Sequence, residues 1–217
     1  DTVANGTIVI SNLLFMVAVP HLSDSSHATI SEYLISQPQI PMQFTIKHVE
    51  STDVQTSKEF NWNLSFASNN QKLYGVAIVF QTARKNNQKA NMAVFDNLKA
   101  EYAHVAVNGK IYPGTTLNDI NTEIYNDVFM RYVNFRKLFT RGLSEIDSTD
   151  FRTAFPIYCF DLSHQKVKIL SDPYNVNIKF RFKQNAAANT SCYAVFFFEK
   201  FCTFTTIGDT KMKPITL

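Results

Sequence analysis

Phe60-Asn61-Trp62-Asn63-Leu64-Ser65-Phe66 alternates strictly between apolar and polar side chains. Successive side chains of a strand point to opposite faces, so the four apolar residues share one face and the three polar ones the other. That is the pattern of a sheet buried on one side and wet on the other. Downstream, residues 74–82 (YGVAIVFQT) form a more continuous apolar run, consistent with a central strand. Upstream, residues 42–50 alternate, with Met42, Phe44, Ile46 and His48 on one face and Gln43, Thr45, Lys47 and Val49 on the other. Residues 101–107 alternate again and stop at Asn108-Gly109, a tight-turn dipeptide. Tyr112-Pro113-Gly114 then reads as leaving the sheet.

Strands return at residues 155–161, 176–183 and 192–205. In the second of these, Lys179, Arg181 and Lys183 alternate with Ile178, Phe180 and Phe182, which a solvated outer face explains, with an acidic partner as the alternative. Residues 6–19 read as one more long, buried strand. Asn69-Asn70 is a turn signal, residues 185–189 form a connection, and residues 23–40 and 84–91 read as loops. The basic stretch 84–89 is explained by solvation, with nucleic-acid contact as the sharper alternative.

One segment has a different period. Ile120, Ile124, Val128, Tyr132, Phe135 and Phe139 recur at three and four residues, so the spacing predicts a helix over 119–141. Asn118 is placed to cap it, and Gly142 suits the position after its end. Asp119, Glu123 and Asp127 lie early and Arg131, Arg136, Lys137 and Arg141 late, which complements the helix dipole. A short second helical turn is expected from Ser148. About eight strands with one such crossover fit two packed sheets, an all-β jelly-roll β-sandwich with a helical insertion. The chain, 217 residues, is expected to form this as one domain.

Composition agrees with a packed, associating protein. Apolar residues make up 45%, enough for a full core, while charged residues fall to 18%, below the usual quarter. The 19 Phe and 9 Tyr suit both inter-sheet cores and subunit contacts. A net charge of +3 is too small to argue phosphate neutralisation, so no specific nucleic-acid site is expected. No apolar run reaches the roughly 20 residues of a membrane span. The apolar stretch at residues 12–19 is short, is ended by Pro20 and has no basic flank, which argues against a signal peptide. Asp1 rather than Met at the first position fits a fragment or a processed product.

The residues that could carry chemistry do not converge. Cys159, Cys192 and Cys202 sit among apolar neighbours and read as buried thiols, which favours a reducing compartment. His21, His27, His48, His104 and His164 have no metal-ligand spacing on a shared face, and His48 and His104 read as packing residues within strands. No phosphate loop, dinucleotide fingerprint or nucleophile elbow is present. Sequons at Asn5, Asn63 and Asn189 carry little weight in an Asn- and Thr-rich chain. No catalytic, metal or cofactor-binding residue is therefore expected.

The order of segments resembles the C-terminal half of double jelly-roll major capsid proteins, nearest to those of Polinton/Maverick elements, adintoviruses and virophages. The resemblance rests on residues 60–66 with Trp62, then 74–84, then 91–95 leading to 105–113. A helix follows, then Pro156-Ile157-Tyr158-Cys159-Phe160-Asp161-Leu162-Ser163, then 176–182 and 192–204. It covers most of the chain beyond Asp53. It implies two upright jelly rolls per subunit, trimeric pseudo-hexagonal capsomers and an icosahedral shell around double-stranded DNA. It also implies other capsid proteins as partners, a location in the virion and assembly in the host nucleus or cytoplasm. This chain has room for one roll only, so an N-terminal jelly-roll half is a further expected partner. A glycan- or ligand-binding jelly roll is the alternative, for which Asn5, Asp24, Asn69 and Asn70 are too scattered. A cupin-like enzyme would need facing His ligands.

Overall fold

The computed structural model describes residues 14, 16, 21–36, 39–67, 71–85, 87, 89–117, 125–139, 145–164, 173–207 and 211–215. In chain order these form α1 (Asp24–Ser36), β1 (Gln39–Val54), β2 (Glu59–Phe66), β3 (Gln71–Thr82), β4 (Ala100–Val107) and β5 (Lys110–Leu117). There follow α2 (Asn126–Lys137), α3 (Ser148–Ala154), β6 (Tyr158–Asp161), β7 (Tyr174–Phe182), β8 (Thr190–Ile207) and β9 (Lys211–Ile215). One sheet, called A here, has the order β1-β8-β3-β6 with β9 attached to β8; the other, B, has the order β2-β7-β4-β5. The neighbours are nested: first with eighth, second with seventh, third with sixth, fourth with fifth. A single long antiparallel ribbon rolled on itself gives this order, which is the jelly roll.

By compactness the chain divides into a unit of Gln43–Phe201 and a smaller one of Asp1–Met42 with Cys202–Leu217. The larger unit holds the sandwich. From sheet A, Val76, Ile78 and Phe80 of β3 point inward, each paired in register with Phe196, Ala194 and Cys192 of β8. Sheet B answers with Ile178, Phe180 and Phe182 of β7 and with Ala103, Val105 and Val107 of β4. The Phe80 ring joins the layers: its centroid lies 5.1 Å from Phe180, 5.5 Å from Phe182, 6.0 Å from Tyr158 and 6.2 Å from Phe60. In the smaller unit, the end of β8 pairs with β9 from Thr203↔Ile215 to Ile207↔Lys211.

The 60–66 alternation holds, but its apolar face is buried unevenly. Phe60 is in the core, while Trp62, Leu64 and Phe66 are half-buried against it, because β2 is the outer strand of its sheet. Phe80, Phe160, Phe180 and Phe182 are fully inside. Residues 23–40 are not a loop: α1 runs through them, its start held by the Ser23 hydroxyl, which accepts from the Ser26 amide at 3.3 Å. Ser-rich segments favour caps and turns, and here the cap won. Tyr112-Pro113-Gly114 does not leave the sheet. It lies within the bounds of β5, an edge strand, at a register jump where the pairing with β4 passes from Tyr112 to Leu117, so a proline without an amide proton breaks no ladder there. Nine strands, rather than about eight, are present among the described residues.

The helix read over 119–141 is α2, over Asn126–Lys137. Asn118, the positions 119–124 and 141–142 lie outside the described residues, as do the turn at 69–70 and nearly all of the strand expected at 6–19. Of that strand, Leu14 and Met16 are described, and both are exposed rather than buried. No side chain caps α2. Its entry is fixed instead by Tyr125, in the left-handed region at φ 57°, whose hydroxyl accepts from the Ala100 amide at 3.1 Å and bonds the Tyr158 hydroxyl at 2.9 Å. α3 begins where expected, capped by Asp147, whose Oδ1 accepts from the Thr149 and Asp150 amides, each at 2.8 Å.

Packing of α2 on sheet A depends on one missing side chain. A Cβ built on Gly75 would lie 2.4 Å from Cε2 of Phe135. Gly75→Ala should therefore destabilise the protein by about 1–3 kcal/mol through overpacking. Because the clash has a single partner, adding Phe135→Ala should recover part of that loss, and a double-mutant cycle by urea denaturation measures it. Strictly additive losses would contradict this packing.

Candidate assembly surfaces

The two sheets differ in what they turn outward. On sheet A the outer residues pair as Gly75↔Phe197, Ala77↔Val195 and Val79↔Tyr193, with Cys159 of β6 beside Ala77. These are the residues of a strand that is apolar on both sides, which is why 74–82 reads as continuous. One end is roofed by α2: Phe139 lies 4.6 Å and Phe135 5.3 Å from Phe197, and Phe139 lies 5.5 Å from Tyr74. Beyond that roof, Ala77, Val79, Tyr193 and Val195 are half-buried. Strand β1, at the end of the sheet order, turns Phe44 to the opposite face and adds Val49, 59% exposed, to this one. Its polar side chains are tied down on the same face: Thr45 bonds the Tyr74 hydroxyl at 3.0 Å, Gln43 donates to Glu199, and the Lys47 ammonium lies 5.7 Å above the Phe197 ring. Exposed edges invite pairing with another chain unless they are covered.

Sheet B turns out an amide and cationic face. Asn177 Nδ2 donates to Oδ1 of both Asn61 and Asn63, at 2.6 Å each, linking β7 to β2. Tyr102 and His104 share a 2.7 Å hydrogen bond through Nδ1, and the Arg181 guanidinium lies 5.7 Å from the Tyr102 ring centre. Burial, then the neighbouring Lys179 charge, push the His104 pKa below its ordinary 6.5, against an opposing hydrogen bond to Asn177. The unfolded chain thus takes up this proton more readily than the folded one. The contribution of His104 to stability is complete above about pH 6.5 and falls as pH drops from there toward the folded-state pKa. Thermal melts between pH 7.5 and 5 should accordingly lose less in a His104→Gln variant than in the native chain; equal losses would exclude His104 as the source.

The loop at one end of the sandwich is not a freely solvated basic segment. Arg84 pairs with Asp96 and donates from Nη1 to the Asn91 carbonyl at 2.9 Å, and the second Asp96 oxygen accepts the Thr82 amide. Gln81 donates to the carbonyls of Met92 (2.8 Å) and Val94 (3.2 Å). Its leading cation is thus occupied inside the protein, and the sequence signal for this was Asp96, twelve residues on.

The histidines are dispersed. His21, His27 and His164 are exposed on separate elements, and His27 lies within α1. His48 bonds Glu50 at 2.7 Å and meets Phe66 edge-on at 5.6 Å. Among the described residues no three His, Cys, Asp or Glu side chains come together as metal ligands. Cys159, Cys192 and Cys202 are buried and unpaired, and burial pushes the first two thiols far above their ordinary pKa, so they are packing groups. Among the described residues no helix is long and apolar enough to cross a membrane.

No curated protein matches the chain in sequence. Among solved structures it is similar to the Sputnik virophage determined by cryo-EM, at 12% identity and a TM-score of 0.47, over 82% of this chain and 39% of that one. It is also similar to PBCV-1 VP54, fitted into a reconstruction of the same virophage, at 8% identity and a TM-score of 0.40, over 88% of this chain and 54% of that one. The chain therefore spans well under two thirds of the length of either. The description "double jelly roll-like domain" matches residues 1–202, nearly the whole chain, and with the nested strand order of its two sheets the protein belongs to the double jelly roll-like domain family.

Proposed function

We propose that this chain is a structural building block of a viral capsid and acts by assembling, without turnover of a substrate. The observation that carries the reading is the outer face of sheet A, where Ala77, Val79, Tyr193 and Val195 form an apolar strip beside the exposed edge strand β1, in a chain of this family. A rigid sandwich with one apolar outer wall is suited to being built against a neighbour. The finer reading follows the family resemblance: residues 1–217 form one of two rolls of a subunit, the missing N-terminal roll is the first partner, and three subunits form a pseudo-hexagonal capsomer. Such capsomers would close an icosahedral shell of a double-stranded DNA virus or virus-like element, placing the protein in the virion. Light scattering on the chain together with its full-length parent, over rising concentration, tests this. Discrete trimers or shells are expected; a parent that stays monomeric throughout contradicts it.

A further inference from the structure

We infer that one end of the outer face of sheet B is a docking surface for an acidic segment of a partner protein. The alternation of β7 starts the site. Ile178, Phe180 and Phe182 are buried in the core, so Lys179 and Arg181 take the outer face, and the exposed Lys183 follows directly. Backbone hydrogen bonds bring Lys58 and Lys99 to this end: the Phe182 amide donates to the Lys58 carbonyl at 2.8 Å, and the Lys183 amide to the Lys99 carbonyl at 2.9 Å. Because β7 lies between β2 and β4, cations from β7 and from the lead-ins of both neighbours meet at one end of the sheet. All but the half-buried Lys179 are exposed, and among the described residues none of them forms an ion pair. Arg181 is steadied against the Tyr102 ring, 5.7 Å from its centre, so it loses less freedom on binding.

Charge complementarity names the occupant. Like charges on adjacent strands repel, and an anionic partner relieves that repulsion. The carboxylates on the strands of sheet B are Glu59, in register with Arg181, and Glu101, in the bulge between Ala100 and Tyr102. With these counted against the cations, the excess at this end equals the net charge of +3 of the whole chain, so the rest of the protein is balanced. An amide platform adjoins. Asn61 and Asn63 accept from Asn177 through Oδ1, at 2.6 Å each, which leaves their Nδ2 groups as donors. Beside them a depression of about 410 Å³ is lined by Asn63, Ser65, Ala106, Gly109, Asn175 and Asn177. Amide donors suit the carbonyls of a peptide main chain, and separate cations suit separate carboxylates. A phosphodiester strand, charged at every unit, would also meet Glu59 and Glu101, so the acidic polypeptide fits better. The surface lies on the other sheet from the apolar strip of sheet A and stands independently of assembly through that strip. Sequence alone placed Lys179, Arg181 and Lys183 together; Lys58 and Lys99 join them only through the fold.

Calorimetric titration of the full chain with an octaglutamate peptide at neutral pH and about 50 mM salt tests this, with octaglutamine and a decathymidylate strand as parallel probes. Octaglutamate should bind saturably with a dissociation constant below ~1 mM, and should weaken about tenfold by ~0.3 M salt as the exposed charges are screened. Decathymidylate should bind more weakly and octaglutamine not at all. Lys179→Gln with Arg181→Gln should weaken octaglutamate roughly tenfold with an unchanged melting temperature. Lys58→Gln with Lys183→Gln, at exposed positions, should weaken it comparably and gives a second reading if the first pair perturbs the sheet. Lys47→Gln with Lys72→Gln removes the same charge from sheet A and should leave the affinity unchanged. The inference is overturned if octaglutamate does not bind, or if octaglutamine or decathymidylate binds as tightly. It is equally overturned if the sheet A pair costs as much affinity as the sheet B pairs.

Discussion

Phe80→Ala lowers the unfolding free energy by about 3–5 kcal/mol, and with it the melting temperature by roughly 6–20 °C for a chain of this size. The ring is fully buried and touches Phe60, Phe180, Phe182 and Tyr158, so its removal empties the one point where sheets A and B share four aromatic partners. Those partners sit on hydrogen-bonded strands of two layers and cannot close the gap by a local shift, which puts the cost toward the upper end of its range. Phe180→Ala should be of the same order. Arg181→Ala, next to Phe180 but on the exposed outer face, should stay within about 0.5 kcal/mol. Urea denaturation followed by circular dichroism measures all three. A loss under about 1 kcal/mol for Phe80→Ala would mean that the layers do not close on this ring.

The second large effect concerns association rather than folding. Val79→Lys combined with Val195→Lys should weaken assembly at least ~100-fold, because two ammonium groups would be desolvated without partners in the contact. The fold should survive, since both side chains are already half-exposed on the outer face and a lysine there can carry its charge outward along its stem. Sedimentation velocity on the protein under assembly conditions, with a thermal melt of the same sample, separates the two readouts. Unaltered assembly would move the contact to another face.

Much of the sandwich was legible because alternation states directly which side chains share a face. Phe60 to Phe66 and Ile178 to Phe182 were placed on the correct faces by period alone. Depth was not legible: Trp62 alternates as strictly as Phe180, yet it is only half-buried, because position within the sheet order decides how well a face is covered. The helix α1 escaped because five serines in its sequence and lead-in favour turns, while the single Ser23 cap that starts it has no distinct signature. Pro113 misled in the opposite sense, since the rule that it ends a strand fails at an edge. The outer face of sheet A was half visible. The continuous run at 74–82 announced an apolar second side, but only the register with β8 revealed that Val79 and Tyr193 form one surface.

The central claim is that this sandwich is a coat subunit whose sheet A faces a neighbour. Cryo-electron microscopy of particles formed by the full-length parent tests it most directly. The account predicts closed shells in which Val79, Tyr193 and Val195 are buried at a contact of well over ~1,000 Å². Particles with that face open to solvent, or a parent that forms no particle under assembly conditions, would contradict it.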